Sequence, residues 1–364
     1  MPRNIPLQDL SHLLEYTAVS PRPRRGTRAL LIVLGGLWLC APAAFAQTRV
    51  TDDAKRTVAV PAPVSRVFAA GAPAEVLLYT LVPDMLVGRN HMPPAAALEF
   101  MPPELRSPKP IKNLPDRDDP RYDDELLALK PDVYIDYGTI DDDYVAALEA
   151  ISGRTKVAAL IFDGRLTAIP TMYRRLGVAL GVPDRGEKLA AEAQRVLDKY
   201  RNAAASVRVY LACSRDSLMP CVQGHPNGDV AELLGAINTA GTTTTAPKRP
   251  FTVQEVRLSK PDVVVAASKM SADIMRNDPE WHEVDAVASG RVYFPPEQPF
   301  SWGPRPPSVN RLLGVIWMAY VLRSRPFDDA FFADVTSAFE TFYHFTPTKE
   351  QIAKLVADPR RPGG

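Results

Sequence analysis

Apolar and polar positions alternate along RVTDDAKRTVAVPAPVSRVFAAG, residues 49–71, and this period of two predicts a hairpin followed by a buried strand over 66–70. Residues 73–81 then read as a helix, with Pro73 and Glu75 in its first turn. Short apolar, β-branched runs at 86–88, 133–137 and 157–162 predict further strands, and the segments between them carry helical spacing. Such alternation predicts β/α units on a mainly parallel sheet. Residues 183–206 break the rhythm. DRGEKLAAEAQRVLDKYRNAAAS has no proline and no glycine after Gly186, and its apolar residues Leu189, Ala193, Val196, Leu197 and Tyr200 recur at helical spacing. One long helix is expected there. Strands return at 207–213, 263–267 and 292–294, with AELLGAIN (231–238) and TVQEVRLS (252–259) as helices between. The tail, 308–357, reads as helical, and VNRLLGVIWMAYVLRS carries the apolar stripe of a helix packed on a sheet.

One phrase occurs twice. ELLALKPDVYIDYG (125–138) and EVRLSKPDVVVAAS (255–268) share Glu, Lys, Pro, Asp and Val in register. In each, a short helix ends at Lys-Pro-Asp, the proline stops it, and a buried strand starts at once. The repeat predicts an α/β protein of two similar β/α lobes with mainly parallel sheets, joined by one long rigid helix. The expected boundaries are an N-terminal lobe at 47–182, the joining helix at 183–206, a C-terminal lobe at 207–346, and a C-terminal helix and tail at 347–364.

The segment before residue 47 has a different character. Arg22, Arg24, Arg25 and Arg28 precede the apolar run ALLIVLGGLWLCA (29–41), which is too short to span a bilayer comfortably, and Ala44-Phe45-Ala46 matches an A-x-A cleavage pattern. The expectation is a secretory signal peptide cleaved after Ala46, leaving Gln47 at the mature N-terminus and placing the protein in the periplasm. Removal of Cys40 leaves Cys213 and Cys221. In an exported chain this close pair reads as a disulfide across the turn at 216–220, with two buried thiols as the alternative. The C-x7-C spacing, without a neighbouring Cys or His cluster, is not a metal site.

The 364 residues suffice for two cores, and 46% apolar with 23% charged residues describe a soluble globular chain. A formal net charge of +1 supplies no basic excess for a phosphate backbone, which argues against nucleic acid as a partner. Thirty-six prolines gather in connections such as Met92-Pro93-Pro94 and Pro295-Pro296, where they stiffen loops.

The hairpin and first helix, both Lys-Pro-Asp phrases, the joining helix and FSWGPRPPSVNRLLGVIWMA occur in an order that resembles the periplasmic substrate-binding proteins of ABC importers for iron chelates, haem, cobalamin and related metal species. The likeness runs from about residue 49 to about residue 345. It implies a monomer whose two lobes hold one ligand in the cleft between them, with slight closure, and which serves an ABC permease and ATPase complex in the inner membrane. It also implies an acidic residue per lobe, near the start of the helix before each phrase, that meets arginines of the permease. Glu125 and Glu255 are shared by the two halves; Asp124 is a substitute for Glu125, since the usual position holds Asp124 in one half and Gln254 in the other. An acidic first turn favoured by the helix dipole is the plainer reading of the same residues.

Ligands of open α/β sheets sit beyond the carboxyl ends of the strands. The residues there include Arg89 and His91, Tyr137, Arg215, His225, and Phe300, Trp302 and Arg305 of the loop before the helix at Ser308. Arginine forks recognise carboxylates and oxyanions at two points, and Tyr137, Phe300 and Trp302 offer flat faces to a large organic ligand. Trp302 is equally a packing anchor; Arg305 could pair with a neighbouring acid or cap a helix, but ligand contact is preferred because it lies in the loop immediately before the helix start at Ser308. His91 and His225 are the candidates for direct metal ligation from opposite lobes; otherwise no direct metal ligand and no covalent cofactor is expected. The acidic run DRDDPRYDDE (116–125) lacks the spacing and central glycine of an EF-hand. This inventory fits an anionic metal chelate or a metal oxyanion: a ferric siderophore first, then molybdate or tungstate, haem and cobalamin. The rival classes are an envelope enzyme, against which stands the lack of G-x-S-x-G, H-E-x-x-H, P-loop and G-x-G-x-x-G motifs, and a sensor or adaptor that reuses the fold.

Overall fold

The computed structural model describes residues 46–87, 94–106, 117 and 119–358. Strands β1 (Ala46–Thr51) and β2 (Thr57–Ala62) form an antiparallel hairpin, with Thr51 opposite Thr57. Two acids in its turn fasten it to the first lobe. Asp52, fully buried, accepts from the Arg56 N–H and Nε at 3.0 Å each and from the Ile161 N–H at 3.3 Å. Asp53 accepts from the Asp163 N–H at 2.8 Å and pairs with Arg175. The leader expected from the sequence lies outside the described residues except for Ala46, which opens β1.

The first lobe is built on β3 (Val67–Ala69), α1 (Ala72–Leu81), α2 (Tyr122–Ala128), β4 (Val133–Gly138), α3 (Asp142–Thr155) and β5 (Ala158–Asp163). Its sheet runs β3-β4-β5, all parallel. The strand expected at 86–88 amounts to a single parallel pairing of Leu86 with Val67, and Gly88 lies outside the described residues. After α4 (Ile169–Ala179), the joining helix α5 (Pro183–Tyr200) buries Leu189, Ala190, Ala193, Val196, Leu197 and Tyr200 on one face. A Cβ on Gly186 would lie 2.6 Å from the Tyr173 carbonyl oxygen, so the two helices cross backbone to backbone there.

The second lobe repeats the plan with β6 (Arg208–Leu211), α6 (Asp229–Leu233), β7 (Ile237–Asn238), α7 (Val253–Leu258), β8 (Val263–Val265), α8 (Lys269–Asn277) and β9 (Val292–Tyr293), in the parallel order β7-β6-β8-β9. AELLGAIN departs from its expected helix: α6 ends at Leu233, Gly235 takes φ +70°, and Ile237–Asn238 is an edge strand. The glycine stops the helix, since left-handed backbone there carries no Cβ penalty. The joining helix is also shorter than its sequence pattern, because Asn202 and Ser206 both take positive φ. Cys213 and Cys221 are joined by a disulfide, with 5.2 Å between their Cα atoms.

The repeated phrase builds one device in each lobe. Lys130 and Lys260 take φ of 48° and 46°, which turns the chain out of the helix. The aspartate that follows reaches the start of the neighbouring strand: Asp132 accepts from the Ser65 N–H (2.8 Å), the Ser65 hydroxyl (3.0 Å) and the Arg66 N–H (2.8 Å), and Asp262 from the Arg208 N–H (2.9 Å). Arginine completes it. Arg66 donates to the Lys130 and Leu129 carbonyls at 2.8 and 2.5 Å, and Arg208 to those of Lys260 and Ser259 at 2.9 and 2.6 Å, so a cation closes each helix C-terminus.

The tail forms three helices, α9 (Arg311–Val321), α10 (Asp329–Tyr343) and α11 (Lys349–Val356). Helix α9 is buried along its whole length. Helix α10, which the sequence assigns to the second lobe, packs against α1 and α5: Phe342 stacks on Tyr173 at 6.0 Å, and Asp334 accepts from Arg195 (2.8 Å), Lys199 (2.5 Å) and Tyr200 of α5.

Candidate ligand cleft

The carboxyl ends of the first lobe's strands face the second lobe, as hydrogen bonds across the seam show. Ser308 Oγ donates to the Pro73 carbonyl at the start of α1 (2.7 Å). Beyond β5, the Gly164 carbonyl accepts from Arg311 Nη2 at 2.5 Å and the Leu166 N–H donates to Asp229 Oδ2 at 3.0 Å. Gly164 sits directly against Gly138 at the end of β4, where a Cβ would come within 2.8 Å of the Gly138 Cα. This close approach holds the turn after β5 in place.

Between the lobes lies a cavity of about 400 Å³, formed by Arg165, Leu166 and Thr167 on one side, Gly224, His225 and Asp229 on the other, and Arg201 and Asn202 beyond the end of α5. Burial raises the Asp229 carboxyl to about 6, against the opposing pull of Arg311 and the Leu166 amide. Behind it Tyr137 is buried, its hydroxyl raised to about 12 by burial; the Tyr137 Oη and Asp229 Oδ1 atoms have no hydrogen-bond partner among the described residues. A second, shallower cavity of about 670 Å³ lies at the end of β8, lined by Ser268, Lys269, Met270, Ile274 and Glu297.

The expected site residues divide. Arg305 is exposed and has no hydrogen bond or ion pair among the described residues. Arg215 is exposed too, and among the described residues its guanidinium meets only the Met270 sulfur, at 3.0 Å. His225 borders the interlobe cavity; its Nδ1 accepts from the Asn227 N–H at 3.2 Å, and burial of the ring lowers its proton affinity. The aromatics are spent on packing. Trp302 is 1% exposed, donates from Nε1 to the Gln298 carbonyl at 3.0 Å and meets Phe339 edge-on at 6.1 Å. Phe300, half-buried, lies 5.2 Å from Tyr79 and 5.5 Å from Tyr343. Arg89 and His91 lie outside the described residues. Among the described residues no group of three or more His, Cys, Asp or Glu is placed to hold a metal ion.

The sequence reading missed Arg165, Arg201, Asp229, Met270 and Arg311. Arg311 left a signal: a charged residue opens the otherwise apolar run LLGVIWMAY, and a charge in such a run must find partners inside.

The acids expected to face a permease sit in unequal settings. Asp124 is exposed on α2, Glu125 is half-buried beside it, and Leu127 is 43% exposed. Glu255 is the third residue of α7 and closes a capping box with Thr252. It also pairs with Arg249 at 2.7 Å, and that ion pair, with the Thr252 amide, lowers its carboxyl to about 2.

A family model described as periplasmic binding protein matches residues 70–299. A search of curated proteins finds no match. Among solved structures, an ABC transporter solute binding protein from Sulfurospirillum deleyianum is similar at 20% identity and a TM-score of 0.73, over 84% of this chain and 98% of that one. The molybdate periplasmic binding protein MolA of Haemophilus influenzae, bound to molybdate, is 18% identical over 83% of this chain and 99% of its own, with a TM-score of 0.63. The periplasmic vitamin B12 binding protein BtuF of Vibrio cholerae is 19% identical over 72% and 98%, with a TM-score of 0.54. Two parallel-sheet lobes on a joining helix, the same fold as these structures, and the family match agree: the chain belongs to the periplasmic binding protein family.

Proposed function

We propose that the chain, exported to the periplasm, captures an anionic metal complex between its lobes, a ferric siderophore before other candidates, and delivers it to an ABC permease and its ATPase. The observation that carries this reading is the pair of exposed arginines, Arg305 and Arg215, neither with an acid partner among the described residues. An exposed guanidinium without an acid partner is available to a carboxylate or catecholate-like oxygen pair. Cavities of about 400 and 670 Å³ are sized for an organic chelate. A bare oxyanion would occupy a small part of either. Burial of Trp302 and packing of Phe300 withdraw the broad faces that a haem or corrin ring would stack upon. Molybdate is the second reading, favoured by the likeness to a molybdate-bound protein and by the same two arginines.

Titration calorimetry with ferric siderophores and with molybdate tests the choice. Arg305→Ala is expected to weaken binding at least about tenfold, the loss of one charge-assisted contact. Glu125→Ala is expected to leave affinity unchanged and to lower uptake in cells. The reverse pattern would refute this division of roles.

A further inference from the structure

One carboxylate and one guanidinium join the lobes along a single side of the cleft. Asp229 Oδ2, at the start of α6, accepts both the Leu166 N–H (3.0 Å) and Arg311 Nη1 (2.5 Å). Arg311 is fully buried and uses its remaining donors on the carbonyls of Gly164 (2.5 Å), Pro226 (3.0 Å) and Ser308 (2.9 Å). The Leu166 amide opens the turn Leu166–Ala168, and its acceptor lies in the other lobe. Because Gly164 is pressed onto Gly138, the first-lobe half of this contact cannot shift alone. Parting the lobes here would take the Leu166 amide from Asp229 and the Gly164 carbonyl from Arg311, leaving a buried amide and a buried guanidinium each short of a partner while the Asp229–Arg311 pair stays within its own lobe. The contact joins the β5 edge of one sheet to the segment leading into β7, the edge of the other, whereas Arg305 follows β9 at the opposite edge.

We propose that Asp229 and Arg311 form a latch that fastens the lobes at the β5 edge through Leu166 and Gly164, so that the cleft opens and closes from the β9 edge. The latch stands whichever ligand the cleft takes. Arg311 and Asp229 are positioning residues.

Amide hydrogen exchange of the isotope-labelled chain reads the latch at one N–H, that of Leu166. In the wild type this amide is expected to exchange slowly, together with the amides of β5. In Asp229→Ala its protection is expected to fall at least about tenfold, the loss of one hydrogen bond to a charged acceptor, while the amides of β4 and β5 keep theirs. Asp229→Asn keeps an acceptor oxygen and is expected to fall between; it carries the test alone if the alanine variant does not fold. Free exchange at Leu166 in the wild type overturns the proposal. So does equal Leu166 protection in wild type and variants, or a loss spread evenly over β4 and β5.

Discussion

Glu255 and Arg305 show how a side chain's surroundings decide what it is free to do. Every oxygen of Glu255 is already engaged: Arg249 donates to both at 2.7 and 3.0 Å, and the Thr252 amide to one at 2.8 Å. Contacts to the charged form lower its carboxyl from the ordinary 4.5 to about 2. The sign follows: a depressed carboxyl adds stability above its ordinary value and loses that contribution as pH falls toward the folded value. A side-chain NMR titration is expected to place the Glu255 midpoint near 2, with α7 still capped at pH 4; a midpoint at 4.5 would show that the Arg249 pair does not persist in solution. Arg305 has no such partners among the described residues, which is why it, rather than Trp302, carries the proposed ligand contact. Sequence named both without separating them. A tryptophan beside prolines reads alike as platform or anchor until Phe339 and the Gln298 carbonyl are seen around it.

The Lys-Pro-Asp turn is the element on which both lobes are built. Its two copies differ in load: among the described residues the Asp132 side chain accepts from three donors and that of Asp262 from one. Asp132→Ala is therefore expected to lower unfolding free energy by about 2 kcal/mol and Asp262→Ala by about 1 kcal/mol. Urea denaturation giving equal losses, or the reverse order, would contradict the accounting. The turn was legible because helix, proline and strand follow one another within a few residues. Its arginine was not, since Arg66 and Arg208 stand far along the chain from the carbonyls they close and no local pattern marks the pairing. The same reasoning covers AELLGAIN. Its apolar spacing is helical throughout, and only the positive φ of Gly235 turns its second half into the edge strand β7.

Across the whole molecule, the two parallel sheets and the helix between them were readable from the repeated phrase and from one uninterrupted helical pattern. The return of α10 to the first lobe was not, because its apolar stripe fits any buried surface and only contacts such as Phe342 on Tyr173 decide which. The cleft was legible as a set of strand ends, and the latch that crosses it was not, since Gly164, Asp229 and Arg311 meet only in three dimensions. With one side fastened and Arg305 following β9 at the opposite edge, the proposed arrangement admits a charged guest from one direction. Native mass spectrometry of the protein released from periplasm tests this most directly. The account predicts one adduct per chain with the mass of an iron-bearing chelate, much depleted in an Arg215→Ala, Arg305→Ala double variant; a chain without adduct, or an adduct undiminished in that variant, would contradict it.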